Sequence, residues 1–224
     1  QILTVLELLN EGNTIPFIAR YRKEATGGLD EEEINEIFQS WNYAKNLLQR
    51  KEDVIRLIDE RGMLTEELKQ EILKATKLIE VEDLYRPYKE KKKTRATDAI
   101  AKGLEPLAKW MLTYPKTSVS DEAKKYITDA VESADAAISG AKDIIAEIVS
   151  DNAEYRKSLR LTLFNDGLIE TSVKKNADDP KKTYGIYYEH KEPVIKMPPH
   201  RILAVNRGEK EKVLTVKITA NDEA

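Results

Sequence analysis

The chain has 224 residues, 41 % hydrophobic and 34 % charged, with a formal net charge of −3. That apolar share can build a packed core and excludes wholesale disorder, while the near-neutral balance excludes a polycation, so any nucleic-acid surface must be a local patch. The absence of cysteine rules out disulfides, thiolate metal sites and cysteine nucleophiles and fits a reducing cytoplasm; no apolar run approaches the ~18 residues that span a bilayer, and no signal peptide is legible.

Ile2, Leu3, Val5, Leu6, Leu8 and Leu9 read as a helix already under way, and with Gln1 in place of an initiator Met the chain reads as a piece cut from a longer protein. Gly12 closes this helix, Thr14 caps the next, and Pro16 sits in its first turn, where its missing N–H costs little. That second helix carries Ile15, Phe17, Ile18 and Tyr21 among Arg20, Arg22 and Lys23, and Gly27-Gly28 ends it. Asp30 with Glu33 predicts a capping box. Apolar residues at steps of three and four from Ile34 to Ile58 then predict one helix over 31–61, about 45 Å long, ended by Gly62. It reads as one arm of a helical hairpin that buries Trp41 and Leu48, and on that expectation Trp41→Ala costs about 3–5 kcal/mol.

Thr65 caps a further helix, residues 79–88 form another that stops at Pro87, and 89–95 is a basic linker. Gly103 and Pro106 should split a helix over 96–114. Helices are expected over 121–129 and 133–149, the second with small residues that permit close packing, and Asp151 is expected to cap another that runs to Gly167. A short helix covers 199–207. Leu214, Val216 and Ile218 alternate with polar residues as a strand, whose partners must be a hairpin within 169–188 or chain beyond the C-terminus. The fold class is therefore mainly α: multi-helical, with a long helix and helical hairpin, helix-turn-helix-like elements and a minor β element near the C-terminus. Three parts are expected, at 1–88, 89–185 and 186–224.

Three basic groups are candidate phosphate contacts. Arg86 to Arg95 sets Arg86, Lys89, Lys91, Lys92, Lys93 and Arg95 against Glu90, with Tyr85 and Tyr88 interleaved. Cations attract phosphates and aromatic faces stack bases, although a lysine run beside a helix end is also the composition of a solvated linker. Arg20, Arg22 and Lys23 follow a short apolar helix entered through the Gly12 turn, the raw material of a helix-turn-helix or of a plain packing unit. His200 and Arg201 stand at the start of a helix, where backbone N–H groups can hold a phosphate or His200 simply packs. Catalysis finds no support. His190-Lys191-Glu192 has the H-x-E spacing of zinc deaminases but lacks their cysteines, and no HExxH, P-loop or G-x-S-x-G is present. No cofactor or metal is expected, and the acidic clusters read as solvated helix starts.

The stretch from Gly12 to Asp30 (GNTIPFIARYRKEATGGLD) resembles the N-terminal signature of the Tex family, bacterial RNA-binding transcription accessory proteins. Leu84 to Lys89, Thr94 to Thr97, Lys102 to Ala108, Ile148 to Arg156 and Pro199 to Glu209 extend the resemblance in order along the chain. The resemblance implies a multidomain protein: a helical N-terminal region with a helix-turn-helix, a nuclease-like domain, helix-hairpin-helix motifs and an S1 domain that is the main nucleic-acid contact. Those later domains do not lie within these residues, so no catalytic residue carries over. The expected role is a non-catalytic scaffold and auxiliary nucleic-acid contact, using Lys89, Lys91, Lys92, Lys93 and Arg95 first and Arg20, Arg22 and Lys23 second, in a monomeric, cytoplasmic fragment that touches no membrane. RNA or DNA would be held mainly by the other domains. The alternative is a protein-interaction module whose long helix, residues 30–62, docks on RNA polymerase or ribosome-associated proteins without touching nucleic acid.

Overall fold

A computed structural model describes residues 1–91 and 93–220. The chain divides into two compact units, residues 1–91 and the described residues from 93 onward. Lys92, part of the predicted basic patch, lies outside the described residues.

The first unit is organised by one long helix, and Asp30 decides where it starts. The Asp30 carboxylate accepts from the Glu33 N–H at 2.8 Å, and the Glu33 carboxylate accepts from the Asp30 N–H at 2.9 Å. This reciprocal cap satisfies two donors that a helix start would leave open. Elements before it are α1 (Ile2–Asn10), α2 (Ile15–Tyr21) and the single turn α3 (Lys23–Thr26); the long helix is α4 (Glu31–Asp59). Its 29 residues span about 44 Å at the helical rise. Gly62 closes it at a φ of 67°, with the Met63 N–H reaching back to the Ile58 carbonyl at 3.2 Å, a left-handed cap that glycine adopts without steric cost.

Of the side chains on α4, only Ile34, Val54 and Ile58 are buried. Ile34 joins Val5, Ile18 and Ala19 in a small core with α1 and α2. Val54 and Ile58 join Leu68, Ile72, Ala75, Val81 and Tyr85 from α5 (Glu66–Lys74) and α6 (Leu78–Tyr85). About 30 Å of helix separates the two cores. The middle of the stripe is not core: Leu48 is 56 % exposed, and Trp41 is half-buried with the Lys45 ammonium 5.2 Å from its ring centroid. The expectation that Trp41 and Leu48 are buried is thereby corrected. The reason is orientation: Leu47 packs on the core with α5 and α6, Arg50 pairs with Glu82 and the Tyr43 hydroxyl accepts from the Leu78 N–H at 3.1 Å, so that face of α4 is the covered one and Leu48 falls beside it on the open side. The expected helix at 79–88 is α6 followed by a 3-10 turn, Arg86–Tyr88.

In the second unit, α7 (Arg95–Ala101), α8 (Glu105–Met111), α9 (Val119–Ala123) and α10 (Ala134–Asp151) share a core containing Ala99, Leu104, Leu107, Ala137, Ala141 and Ile144. Small residues on α10 allow the close approach. A Cβ placed on Gly140 would sit 2.4 Å from the Leu104 Cδ1 atom. Two expectations are corrected here. The helix over 121–129 is only the short α9 and a 3-10 turn, Lys124–Tyr126, after which Thr128 and Val131 form an isolated bridge. Asp151 does not cap the next helix: it is buried as the last residue of α10, and the side-chain oxygen of Asn152 accepts from the Tyr155 N–H at 3.0 Å to begin α11 (Ala153–Asp166). Asn152 has extended backbone, which breaks the helix and leaves its own side chain to cap the next.

Gly167 leads into a three-stranded antiparallel sheet in which β1 (Leu168–Val173) lies between β2 (Glu189–Pro193) and β3 (Leu214–Thr219). The predicted strand is thus β3, and its partner β1 starts one residue before the stretch 169–188 foreseen for it and otherwise lies within it. The second neighbour, β2, lies beyond that stretch. The strand β2 reads EHKEP, polar throughout with proline at its end, a composition suited to an edge. α12 (Pro199–Lys210) packs on the sheet through Val205, beside Tyr184, Tyr187, Met197, Val213 and Leu214.

Burial on α4 predicts a graded mutational response. Ile58→Ala should cost about 2–5 kcal/mol, Leu48→Ala no more than about 0.5 kcal/mol, and Trp41→Ala an intermediate amount. Urea unfolding followed by circular dichroism measures all three; equal losses at positions 48 and 58 would contradict the two-core arrangement.

Candidate nucleic-acid interface

The α2 patch is built from a seven-residue helix with one buried and one open face. Ile18 and Ala19 are buried against Val5 and Ile34, so Phe17, Arg20 and Tyr21, at spacings of three and four, fall on the open side. Arg22 and Lys23 follow where α2 gives way to α3, and both are exposed. Thr26 anchors this corner from beneath: it is fully buried, and its hydroxyl hydrogen-bonds the Arg22 and Lys23 carbonyls at 3.3 Å. Gly27, at a φ of 71°, ends the turn. Among the described residues Arg20, Arg22 and Lys23 have no carboxylate partner. Arg22 instead lies with its guanidinium carbon 5.5 Å from the Phe17 ring centroid, and the Phe17 and Tyr21 rings are 5.3 Å apart.

The basic run is differently placed. Lys89 and Lys91 close the first unit; Lys93 and Arg95 open the second. Lys89 is exposed and Lys91 half-buried. Lys93 pairs with Asp98 at 3.6 Å and Arg95 with Asp143 at 3.6 Å. Both cations are largely solvated, so these pairs contribute little to stability, yet each sets an anion beside the charge a phosphate would meet. Tyr85 and Tyr88, expected to interleave with the run as stacking faces, are turned inward. Tyr85 is 6 % exposed beneath the Arg50 guanidinium, and Tyr88 packs on the same core. Phe17 and Tyr21, by contrast, are open to solvent beside cations. Sequence reasoning counted them among the apolar residues of α2; the signal that could have separated them was their i,i+4 spacing, offset from Ile15, Ile18 and Ala19.

At the third location, His200 is exposed in the first turn of α12. Arg201 points to the sheet and donates to the Glu192 carboxylate at 2.9 Å, and the His190 ring nitrogen lies 3.1 Å from the same oxygen. The Arg201 hydrogen bond, aided by that from His190, holds the Glu192 carboxyl below its ordinary range against the opposing effect of burial. His190 and Glu192, met in the sequence as an H-x-E spacing, are here neighbours on β2 that tie α12 to the sheet. No group of three or more His, Asp or Glu that could hold a metal ion occurs among the described residues, and none of their helices is long and apolar enough to cross a membrane.

A helical N-terminal module and a helix-and-sheet unit in succession define a class, and two family models match it in that order. Residues 1–59 match the Tex-like protein N-terminal domain and residues 114–224 the Tex central region-like model. The chain belongs to the Tex-like family of transcription accessory proteins. It is 52 % identical over 219 residues to the protein YdcI of Bacillus subtilis, covering 96 % of this chain and 30 % of that protein. It is 39 % identical over 218 residues to the transcriptional accessory protein Tex of Neisseria gonorrhoeae, with 97 % and 29 % covered. Similarity extends to a human S1 RNA-binding domain-containing protein, 30 % identical over 226 residues, with 97 % and 23 % covered. The chain thus spans less than a third of the length of each of these relatives.

The Glu192 pair predicts a pH signature. A carboxylate whose folded pKa is depressed adds stability that is fully present above its unfolded value of about 4.3 and lost as pH falls through the folded one. Arg201→Ala should therefore lower the melting temperature at pH 7, and the gap to the parent should narrow below about pH 4. A gap independent of pH would show that Arg201 acts through packing alone.

Proposed function

We propose that this chain is a non-catalytic helical scaffold of a Tex-like transcription accessory protein and carries an auxiliary nucleic-acid contact on α2 and α3. The observation that supports this reading most is the group Arg20, Arg22 and Lys23, exposed cations without carboxylate partners among the described residues on a corner held by a buried core. Such cations attract phosphates and release counterions on contact. Lys89, Lys91, Lys93 and Arg95, together with Lys92, form a second, weaker contact, because Lys93 and Arg95 already face Asp98 and Asp143. His200 is a minor contributor, and Arg201 serves the sheet through Glu192. The helix-turn-helix-like element around Gly12 is, in this reading, the mount of the patch.

The partner is RNA or DNA, in keeping with a human relative whose name carries an S1 RNA-binding domain. The chain works without cofactor or catalysis, in the cytoplasm, and is monomeric. The bulk of the affinity resides in other parts of the full-length protein. A second reading, docking on RNA polymerase or ribosome-associated proteins through α4, is favoured by the exposure of Tyr43 and Leu48 at its centre. A photo-crosslinker at position 48, incubated with purified polymerase or ribosomes, tests it: a specific adduct in either supports it, and adducts in neither count against it.

Two charge reversals test the main reading. The Arg20→Glu, Arg22→Glu double variant should bind a labelled RNA more weakly and show a shallower salt dependence, by about 0.7 in log–log slope for each phosphate that is no longer neutralised. Reversal of Lys91–Lys93 should do the same to a smaller degree. Titrations at two salt concentrations measure both, and a variant whose slope equals the parent's removes its patch from the interface.

A further inference from the structure

We infer that α2 presents a base-stacking platform, with Tyr21 as the open face and Phe17 and Arg22 as its support, which takes single-stranded rather than duplex nucleic acid. The inference rests on the reading of the Arg20–Lys23 patch as a phosphate contact. Tyr21 is 68 % exposed and Phe17 37 %, although they follow one another on a helix whose other face is fully packed. Their rings lie 5.3 Å apart at 44°, and the Arg22 guanidinium sits 5.5 Å from the Phe17 centroid. Phe17 thus has both a cation and the Tyr21 ring in contact distance. The tyrosine faces solvent beyond that contact, and its hydroxyl has no hydrogen-bond partner among the described residues.

An unstacked base fits this arrangement chemically. Its π-face can lie against the Tyr21 ring, while Arg20, Arg22 and Lys23 are positioned to meet the phosphates on either side; this pairing of aromatic face and cations is how sequence-tolerant single-strand binders work. In a duplex the faces of the bases are hidden in the stack, so the ring would have nothing to cover and only the cations would act. An acidic protein segment could also meet the cations, but it would not require a ring at position 21.

The test uses the whole 224-residue chain with two fluorescein-labelled probes: an oligouridylate RNA, which has no secondary structure, and a blunt RNA duplex of the same length. Fluorescence anisotropy is read at two salt concentrations for the parent, Tyr21→Leu, Tyr21→Trp and the Arg20→Glu, Arg22→Glu variant, with thermal melts to confirm that each is folded. Stacking is worth about 1–3 kcal/mol per base, so Tyr21→Leu should lose about 5- to 150-fold in affinity for the oligouridylate, keep the parent's salt slope and leave duplex binding unchanged. Tyr21→Trp should restore single-strand affinity. If Tyr21→Leu binds like the parent while the charge reversal weakens binding, the platform is refuted and the phosphate contact stands. If the parent prefers the duplex, or binds both probes equally, the platform is likewise refuted. If the parent binds neither probe at low salt, or the charge reversal also changes nothing, both this inference and the reading beneath it fall.

Discussion

The first unit depends on a property of the α-helix itself: its backbone hydrogen bonds are satisfied internally, so a helix can cross solvent between two cores without a partner along its middle. α4 uses that property. It is tied down at Ile34 on one side and at Val54 and Ile58 on the other, each burial worth roughly 1.5–3 kcal/mol. Between them the face carrying Leu48 is solvated, while Tyr43 and Arg50 meet Leu78 and Glu82 of α6 on the other. The capping box at Asp30 and the glycine closure at Gly62 fix where the strut begins and ends. The orientation of α2 follows from this, because Ile18 and Ala19 are held against Val5 and Ile34.

That mounting determines which basic residues remain available. The chain is nearly neutral and rich in both signs of charge, so many cations lie close to a carboxylate. The ion pairs of Lys93 and Arg95 are weak energetically but still compete with any phosphate. On α2 the neighbouring side chains are apolar or aromatic, and Arg22 settles on Phe17 instead of an acid. A patch smaller in charge than the lysine run is consequently the less neutralised one. The chain belongs to the Tex-like family and spans less than a third of the length of the relatives it matches.

The second unit solves a different problem, joining helices to a small sheet. Glu192 on the edge strand β2 accepts from Arg201 of α12, and Thr171 on the central strand is buried with its hydroxyl donating to the Tyr187 carbonyl. These polar ties operate where the apolar core around Leu214 is small. α11 leaves the apolar residues Leu159, Leu161 and Phe164 more than half exposed, with no buried residue along its length. Its helical state rests on its Asn152 cap and internal hydrogen bonds more than on burial.

Local chemistry was legible in the residues alone. Asp30 with Glu33, Thr65, Gly62 and Pro16 act over one helical turn, so the position and length of α4 and the succession of helices could be read without knowing what packs where. The alternation in β3 was equally visible, and the run of matching motifs pointed to the family. Burial and pairing were not legible, because they depend on residues distant in sequence. Leu48 has the spacing of a core residue, but the helices that follow the turn pack on the neighbouring face, through Leu47 and Tyr43, and leave it open. Tyr85 and Phe17 look alike as aromatic residues near cations, yet one falls beneath Arg50 and the other at the surface beside Arg22. The strand β2 carries no periodic signal, since the edge position that makes it a strand is conferred by β1, and Asp151 gave up the capping role to Asn152 once it was buried. Sequence determined where each helix could start and stop; tertiary packing alone decided which faces were covered, and so which cations and rings were left open to solvent.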